Sequence, residues 1–173
     1  KSKQCSVGLS FAKHNWLLSL ENFYKKVIGI NSLGQEFQNQ LEFVKINGEY
    51  EVLGSEMLVQ KKINHFITWM SYSFNTNNYY FQENTPAVFP NNFELEHIVS
   101  WAGIYEKNNF KIALGSKWHS GKPITTPLTT ETSNGTTLSP SIKYNLPNNS
   151  NLDSFFQVNF STTYKWKSST GVN

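Results

Sequence analysis

Apolar and polar side chains alternate along Phe156–Trp166 for eleven residues without a slip. Phe156, Val158, Phe160, Thr162, Tyr164 and Trp166 fall on one side, and Gln157, Asn159, Ser161, Thr163 and Lys165 on the other. A period of two puts successive side chains on opposite faces of an extended chain, so the segment predicts a strand with one apolar face. Phe110–His119 repeats the pattern, with Phe110, Ile112, Leu114, Ser116 and Trp118 against Lys111, Ala113, Gly115, Lys117 and His119. Val7, Leu9 and Phe11 alternate with Ser6, Gly8 and Ser10, and Phe66, Met70, Tyr72 and Phe74 with Ser71 and Ser73. Ile67 and Trp69 interrupt that last case by adding apolar side chains to its polar side.

Seven strands are predicted: Ser6–Lys13, Trp16–Val27, Leu53–Lys62, His65–Asn75, Leu95–Lys107, Phe110–His119 and Phe156–Trp166. The connections between them alternate in length. His14-Asn15, Ile63-Asn64 and Asn108-Asn109 are tight turns, whereas Ile28–Val52, Thr76–Glu94 and Ser120–Leu152 are long. All the short turns fall at one end of the strands and all the long connections at the other. That is the layout of an outer-membrane barrel with short periplasmic turns and long extracellular loops.

Composition sharpens this. Hydrophobic residues make up 38% of the 173-residue chain, below the usual 45–50% of soluble domains, while aromatics reach 15%. The length predicts one domain. No run of about 18 apolar residues occurs, which excludes a transmembrane helix and leaves strands untouched. A half-buried soluble sheet also alternates, so the placement of the rings matters more than the period. Phe11, Trp16, Phe66, Tyr105, Phe110, Tyr164 and Trp166 lie toward the turn end, and Tyr24, Tyr72, Phe74, Trp118 and Phe156 toward the other. Two belts with Leu, Ile, Val and Met between them suit two membrane–water interfaces, whereas a sandwich core gathers its rings centrally.

The charge balance is +3, from fifteen lysines, no arginine, eleven glutamates and Asp153. Without arginine or a clustered basic stripe, the footprint of a nucleic-acid reader is missing. Cys5 stands alone, so neither a disulfide nor a multi-thiol metal site can form within the chain. The start, Lys1-Ser2-Lys3-Gln4, has no apolar signal region and runs straight into a strand pattern. His14, His65, His97 and His119 are dispersed, without metal-ligand spacing. Glu94 and Glu96 are two apart and share one side of a strand, which resembles a catalytic pair but reads more plainly as pore-lining polarity. No nucleophile-elbow pattern surrounds any serine, so neither an enzyme nor a cofactor site is predicted. The segment Thr125–Asn151, rich in Thr, Ser, Asn and Pro, reads as a solvent-facing loop, with a ligand-gripping lid as its functional alternative.

Local motifs add a resemblance. Lys45-Ile46-Asn47-Gly48 followed by Gly54-Ser55-Glu56-Met57-Leu58-Val59-Gln60-Lys61-Lys62 resembles a strand of TonB-dependent outer-membrane receptors. Trp69–Phe74, Phe89-Pro90 with His97, and Trp118-His119-Ser120-Gly121-Lys122-Pro123 with Thr125-Thr126-Pro127 resemble the segments that follow in that family, and Ser2–Leu9 and Asn22–Lys26 those before. The match resembles the bacteroidete branch of the family, and lysine in place of arginine with abundant asparagine suits an AT-rich genome. One departure is Phe93-Glu94-Leu95-Glu96 ahead of His97, where the family usually carries a basic or acidic-basic cluster, so no ligand role passes to His97.

The resemblance implies that residues 1–173 are a partial barrel domain, about seven strands of a barrel of about 22 near its C-terminal end. An odd number cannot close, because unpaired edges in lipid cost several kcal/mol per backbone group. The plug domain and closing strands would lie outside the chain. Implied partners are the plug, the TonB complex, outer-membrane lipid and a surface lipoprotein; the implied location is the bacterial outer membrane. Expected ligand-path residues are Lys117, His119, Glu94, Glu96 and Asn159. The alternatives are a small structural or porin-like barrel and a soluble β-sandwich binding module.

Overall fold

The computed structural model describes residues 1–35, 41–82, 86–128 and 144–166. It is all-β and antiparallel. The main sheet runs β1 (Ser2–Lys13), β2 (Trp16–Gln35), β3 (Leu41–Ile63), β4 (Phe66–Phe81), β6 (His97–Lys107), β7 (Phe110–His119) and β10 (Phe155–Tyr164), in that order. A short β5 (Val88–Pro90) pairs with the far end of β4, and β8 (Pro123–Ile124) with β9 (Ser150–Asn151) forms a separate ribbon. Among the described residues β1 and β10 are the edges of an open sheet.

Each segment read as a strand contains one; several are longer than expected, while Leu95 and Glu96 fall outside β6 and Lys165 and Trp166 outside β10. The stretches Ile28–Gln35 and Leu41–Val52 continue the β2–β3 ladder, with irregularities between Ile28 and Ile30 and between Asn31 and Ser32. The connection Ile28–Val52 is therefore mostly strand, not loop. Likewise β4 runs on through Phe81. At the turn end, His14-Asn15 and Asn108-Asn109 close hairpins as read, whereas the middle turn is Asn64-His65, because Ile63 still pairs with Phe66. His14 (φ 49°), Asn15 (φ 63°), Asn64 (φ 49°) and Asn108 (φ 55°) are left-handed. Two-residue hairpins need that conformation, and asparagine adopts it more readily than most residues.

The hairpins are staggered. Lys13 pairs with Trp16, which pairs with Lys61 and through it with Thr68, two residues inside the Ile63–Phe66 closing pair. Phe66 in turn pairs with Tyr105, two residues inside the Lys107–Phe110 closing pair. Each turn is thus displaced by two residues from the last, about 7 Å along the strands for about 10 Å across two of them. The strands incline by about 35° to the line of the turns, the tilt and shear that closed barrels require.

The register sorts side chains onto two faces. Leu9, Leu20, Met57, Tyr72, Val99, Trp118 and Phe156 form one unbroken lateral row. The next row on that face is Phe11, Leu18, Val59, Met70, Trp101, Ser116 and Val158. Nothing among the described residues covers this face: Leu9 is 78% exposed and Phe160 66%. Phe81, at 4%, is the one buried hydrophobic side chain described. It sits on the opposite face with Tyr50, Tyr79 and Phe89, their ring centroids about 6 Å apart. Gly48 makes room for it, since a Cβ there would overlap the Phe81 ring.

Candidate functional site

On the apolar face, charged side chains stand only at the two ends. Lys13, Lys61 and Lys107 are at the turn end, and Lys3, Lys26, Glu49 and Glu51 at the other. Among the described residues none falls between. At the far end the Lys26 ammonium donates to Glu49 Oε1 at 2.7 Å and to Glu51 Oε1 at 2.8 Å. Lys61 and Glu51, like Lys13 and Lys3, are ten residues apart with no charged side chain between them on this face. That is about 34 Å along the strand, or about 28 Å across after the incline. Trp16, Phe66, Tyr105, Phe110 and Tyr164 rim it at the turn end, and Tyr24, Tyr72, Phe74, Trp118 and Phe156 at the other. Trp101 and Phe160 lie between, so the belts are an enrichment rather than a separation.

The polar face has small and hydrophilic side chains. One of its rows reads Ser10, Ser19, Leu58, Ser71, Ser100, Lys117 and Gln157. Three of the expected site residues meet here. Lys117 is opposite Gln157, Asn159 is opposite Gly115, and the Gln157 amide donates to Asn159 Oδ1 at 3.0 Å. His119 is on the same face, stacked on Phe155 with centroids 5.0 Å apart, and its Nδ1–H donates to the Ser120 carbonyl at 2.8 Å. Ile67 and Trp69 also turn to this face, next to Ile104 and Ala102, which accounts for the broken alternation of their strand.

Glu94 and Glu96 do not share a strand face, because β6 begins at His97 and both precede it. Glu94 Oε1 accepts the Asn77 backbone N–H at 2.7 Å. Burial raises its pKa above the ordinary carboxylate range, the Asn77 N–H lowers it in part, and the nearby Glu96 charge raises it. Glu96 is exposed, 3.7 Å from His97 Nε2. His97 itself turns to the apolar face, where its Nδ1 is 2.9 Å from the Tyr72 hydroxyl.

Two features were not visible in the sequence. Glu21 and Glu56 lie directly opposite each other on the polar face, where like charges repel. They line a hollow of about 370 Å³ with Ser19, Ser71 and Ser73, and Ser73 Oγ donates to Glu56 Oε1 at 3.3 Å. The second feature is a polar knot between the long connections. Asn148, nearly buried and left-handed at φ 54°, donates its amide to the Pro90 carbonyl and to Asn92 Oδ1, and its backbone N–H to Thr125 Oγ1. Asn91, also buried, donates its N–H to the Asn77 carbonyl and accepts the Phe93 N–H. The ends of the 125–151 segment are therefore joined by hydrogen bonds, while Leu128, Tyr144 and Leu146 stay exposed, and residues 129–143 of the segment read as a loop or lid lie outside the described residues. Together the polar face and the knot offer hydrogen bonds and fixed charges of both signs to a polar solute. Comparison with protein-family models, curated proteins and solved structures finds no match for the chain.

Proposed function

We propose that this chain is a segment of an outer-membrane β-barrel that passes a polar ligand along its inner wall, and that the barrel is of the TonB-dependent receptor kind. One observation carries the membrane reading: a continuous uncharged band about 28 Å wide on one face of an inclined antiparallel sheet, bounded by charge and aromatic rings at both ends. The hydrocarbon-facing belt of such barrels is about 25 Å tall, with strands tilted 35–45°. A soluble sandwich needs a second sheet over the same face, and leaving this face in water would expose far more apolar surface than monomeric proteins carry.

In this reading the polar face is the wall of the lumen, where Lys117, Asn159 and His119 stand toward the end with the long connections. Edges β1 and β10 pair with further strands of the barrel, because unpaired N–H and C=O groups in lipid cost several kcal/mol each. The receptor assignment and its TonB-driven uptake rest on the motif resemblance of Gly54–Lys62, Trp69–Phe74 and Trp118–Pro123. The requirement for outside strands favours it over a small porin-like barrel built from this chain.

Energised uptake in cells with and without TonB tests the assignment. Uptake is expected to require TonB. Replacing Lys117 and His119 together by Ala should reduce it for anionic ligands at unchanged surface expression, since Lys117 supplies a fixed positive charge. TonB-independent uptake would reject the receptor assignment, and unchanged uptake in the double variant would remove both residues from the path.

A further inference from the structure

We infer that the turn end of the apolar face is a binding site for an anionic phospholipid. The inference rests on the membrane reading above and adds a partner to it. Lys13, Trp16 and Lys61 are consecutive neighbours in one lateral row, on three adjacent strands. Directly paired residues on one face have Cβ atoms about 5 Å apart, so two ammonium groups flank one indole. The geometry is already organised: Lys61 Nζ stands 4.3 Å from the Trp16 ring centroid and donates to the His14 carbonyl at 3.2 Å. No carboxylate offsets these charges on this face at this end among the described residues. Glu106, the acidic residue at this end, is on the other face beside Lys111, at 3.9 Å.

Two shallow apolar grooves lie beside this row, one lined by Trp16 and Lys61 themselves and the other beginning at Phe11 and Leu18, the next pair inward on the same face. One, of about 360 Å³, is lined by Val59, Met70 and Trp101, with Trp16, Lys61 and Ile63 at its turn end. The other, of about 320 Å³, lies among Leu9, Phe11, Leu18, Leu20 and Met57 and shares Val59 with the first. A cationic pair at the rim, an indole between, and two apolar channels meeting at Val59 match a phosphate headgroup with two acyl chains. Trp at the interface and lysine stems lying on apolar surface with the ammonium in the headgroup layer are the ordinary physics of such a rim. A free phosphate would use the lysines alone. The grooves select the lipid.

The test uses the assembled barrel containing this chain, purified in detergent, and native mass spectrometry with phosphatidylglycerol or phosphatidylethanolamine of identical acyl chains. The wild type should retain the anionic lipid over the zwitterionic one. Lys13→Gln and Lys61→Gln should each cut that preference about fivefold, from about 1 kcal/mol per lysine near a membrane surface. Lys61→Arg should keep it, and Lys107→Gln, on the same rim but away from the grooves, should leave it unchanged. Equal retention of both lipids by the wild type, or an equal loss in Lys107→Gln, would overturn the site while leaving the membrane reading intact. A protein that stays monomeric and folded without detergent would instead overturn the membrane reading itself.

Discussion

Neighbouring rows of the main sheet, one residue apart, have opposite chemistry. Leu9, Leu20, Met57, Tyr72, Val99, Trp118 and Phe156 cross one face, while Ser10, Ser19, Leu58, Ser71, Ser100, Lys117 and Gln157 cross the other. In a water-soluble sheet the first kind of row is covered by a second layer and the second kind meets solvent. Here the apolar rows are the bare ones. The polar face, by contrast, holds the buried Phe81 cluster. On the proposed reading, this difference assigns the uncovered face to hydrocarbon and the polar one to a lumen.

Placing charge on the wrong face should break this contrast most strongly. Leu114→Arg, in the middle of the band, is expected to cost about 2–4 kcal/mol in chemical unfolding from lipid vesicles. Ser161→Arg, opposite Ala113 on the polar face, should stay within about 0.5 kcal/mol. Equal costs would mean that the faces do not differ in environment.

Next in size is Gly54→Ala. A Cβ there would overlap the Phe23 ring on the polar face, so the ring must move, at a cost of about 1–3 kcal/mol. Gly115 has open space of ordinary contact distance around a Cβ, and Gly115→Ala should be tolerated.

At the knot, Glu94→Ala leaves the Asn77 N–H without its acceptor and should cost about 1 kcal/mol, whereas Glu94→Gln keeps an acceptor oxygen and should cost less. Because burial raises the Glu94 pKa, the folded state holds the proton more tightly than the unfolded one. The knot should therefore gain stability as pH falls through the raised carboxylate range and lose it as pH rises, with no such dependence in Glu94→Gln. Amide exchange at Asn77 and Asn91, compared across pH, reads both effects. Lys26→Ala, which breaks the half-exposed link to Glu49 and Glu51, should shift stability least.

What was legible in the sequence follows the band. Between Phe110 and Trp118, or Phe156 and Tyr164, one face is largely apolar and the other polar, so the period of two is plain and the strands are legible. Beyond Tyr24 the ladder continues through Ile28–Gln35, where Gly29, Asn31, Ser32, Gly34 and Gln35 leave no sustained apolar alternation in the sequence to announce it. The middle turn moved by one residue because Ile63 belongs to the apolar face and pairs with Phe66. Lys117, His119 and Asn159 could be given a face from period alone. The opposition of Glu21 and Glu56 depends on a register between strands, and the Asn148 bonds reach Pro90 and Asn92 across 58 and 56 residues, so neither leaves a local pattern.

The most direct test is a cysteine scan of β7 and β10 in the membrane-inserted protein, after Cys5, which lies exposed on the apolar face, is replaced by Ser. Single cysteines at 114, 117, 158 and 159 are reacted with a lipid-soluble maleimide and, separately, with a membrane-impermeant charged one. Positions 114 and 158 should take the lipid-soluble reagent and resist the charged one, and positions 117 and 159 should do the reverse. Equal labelling of 158 and 159, which are adjacent in sequence and opposite in face, would contradict the account.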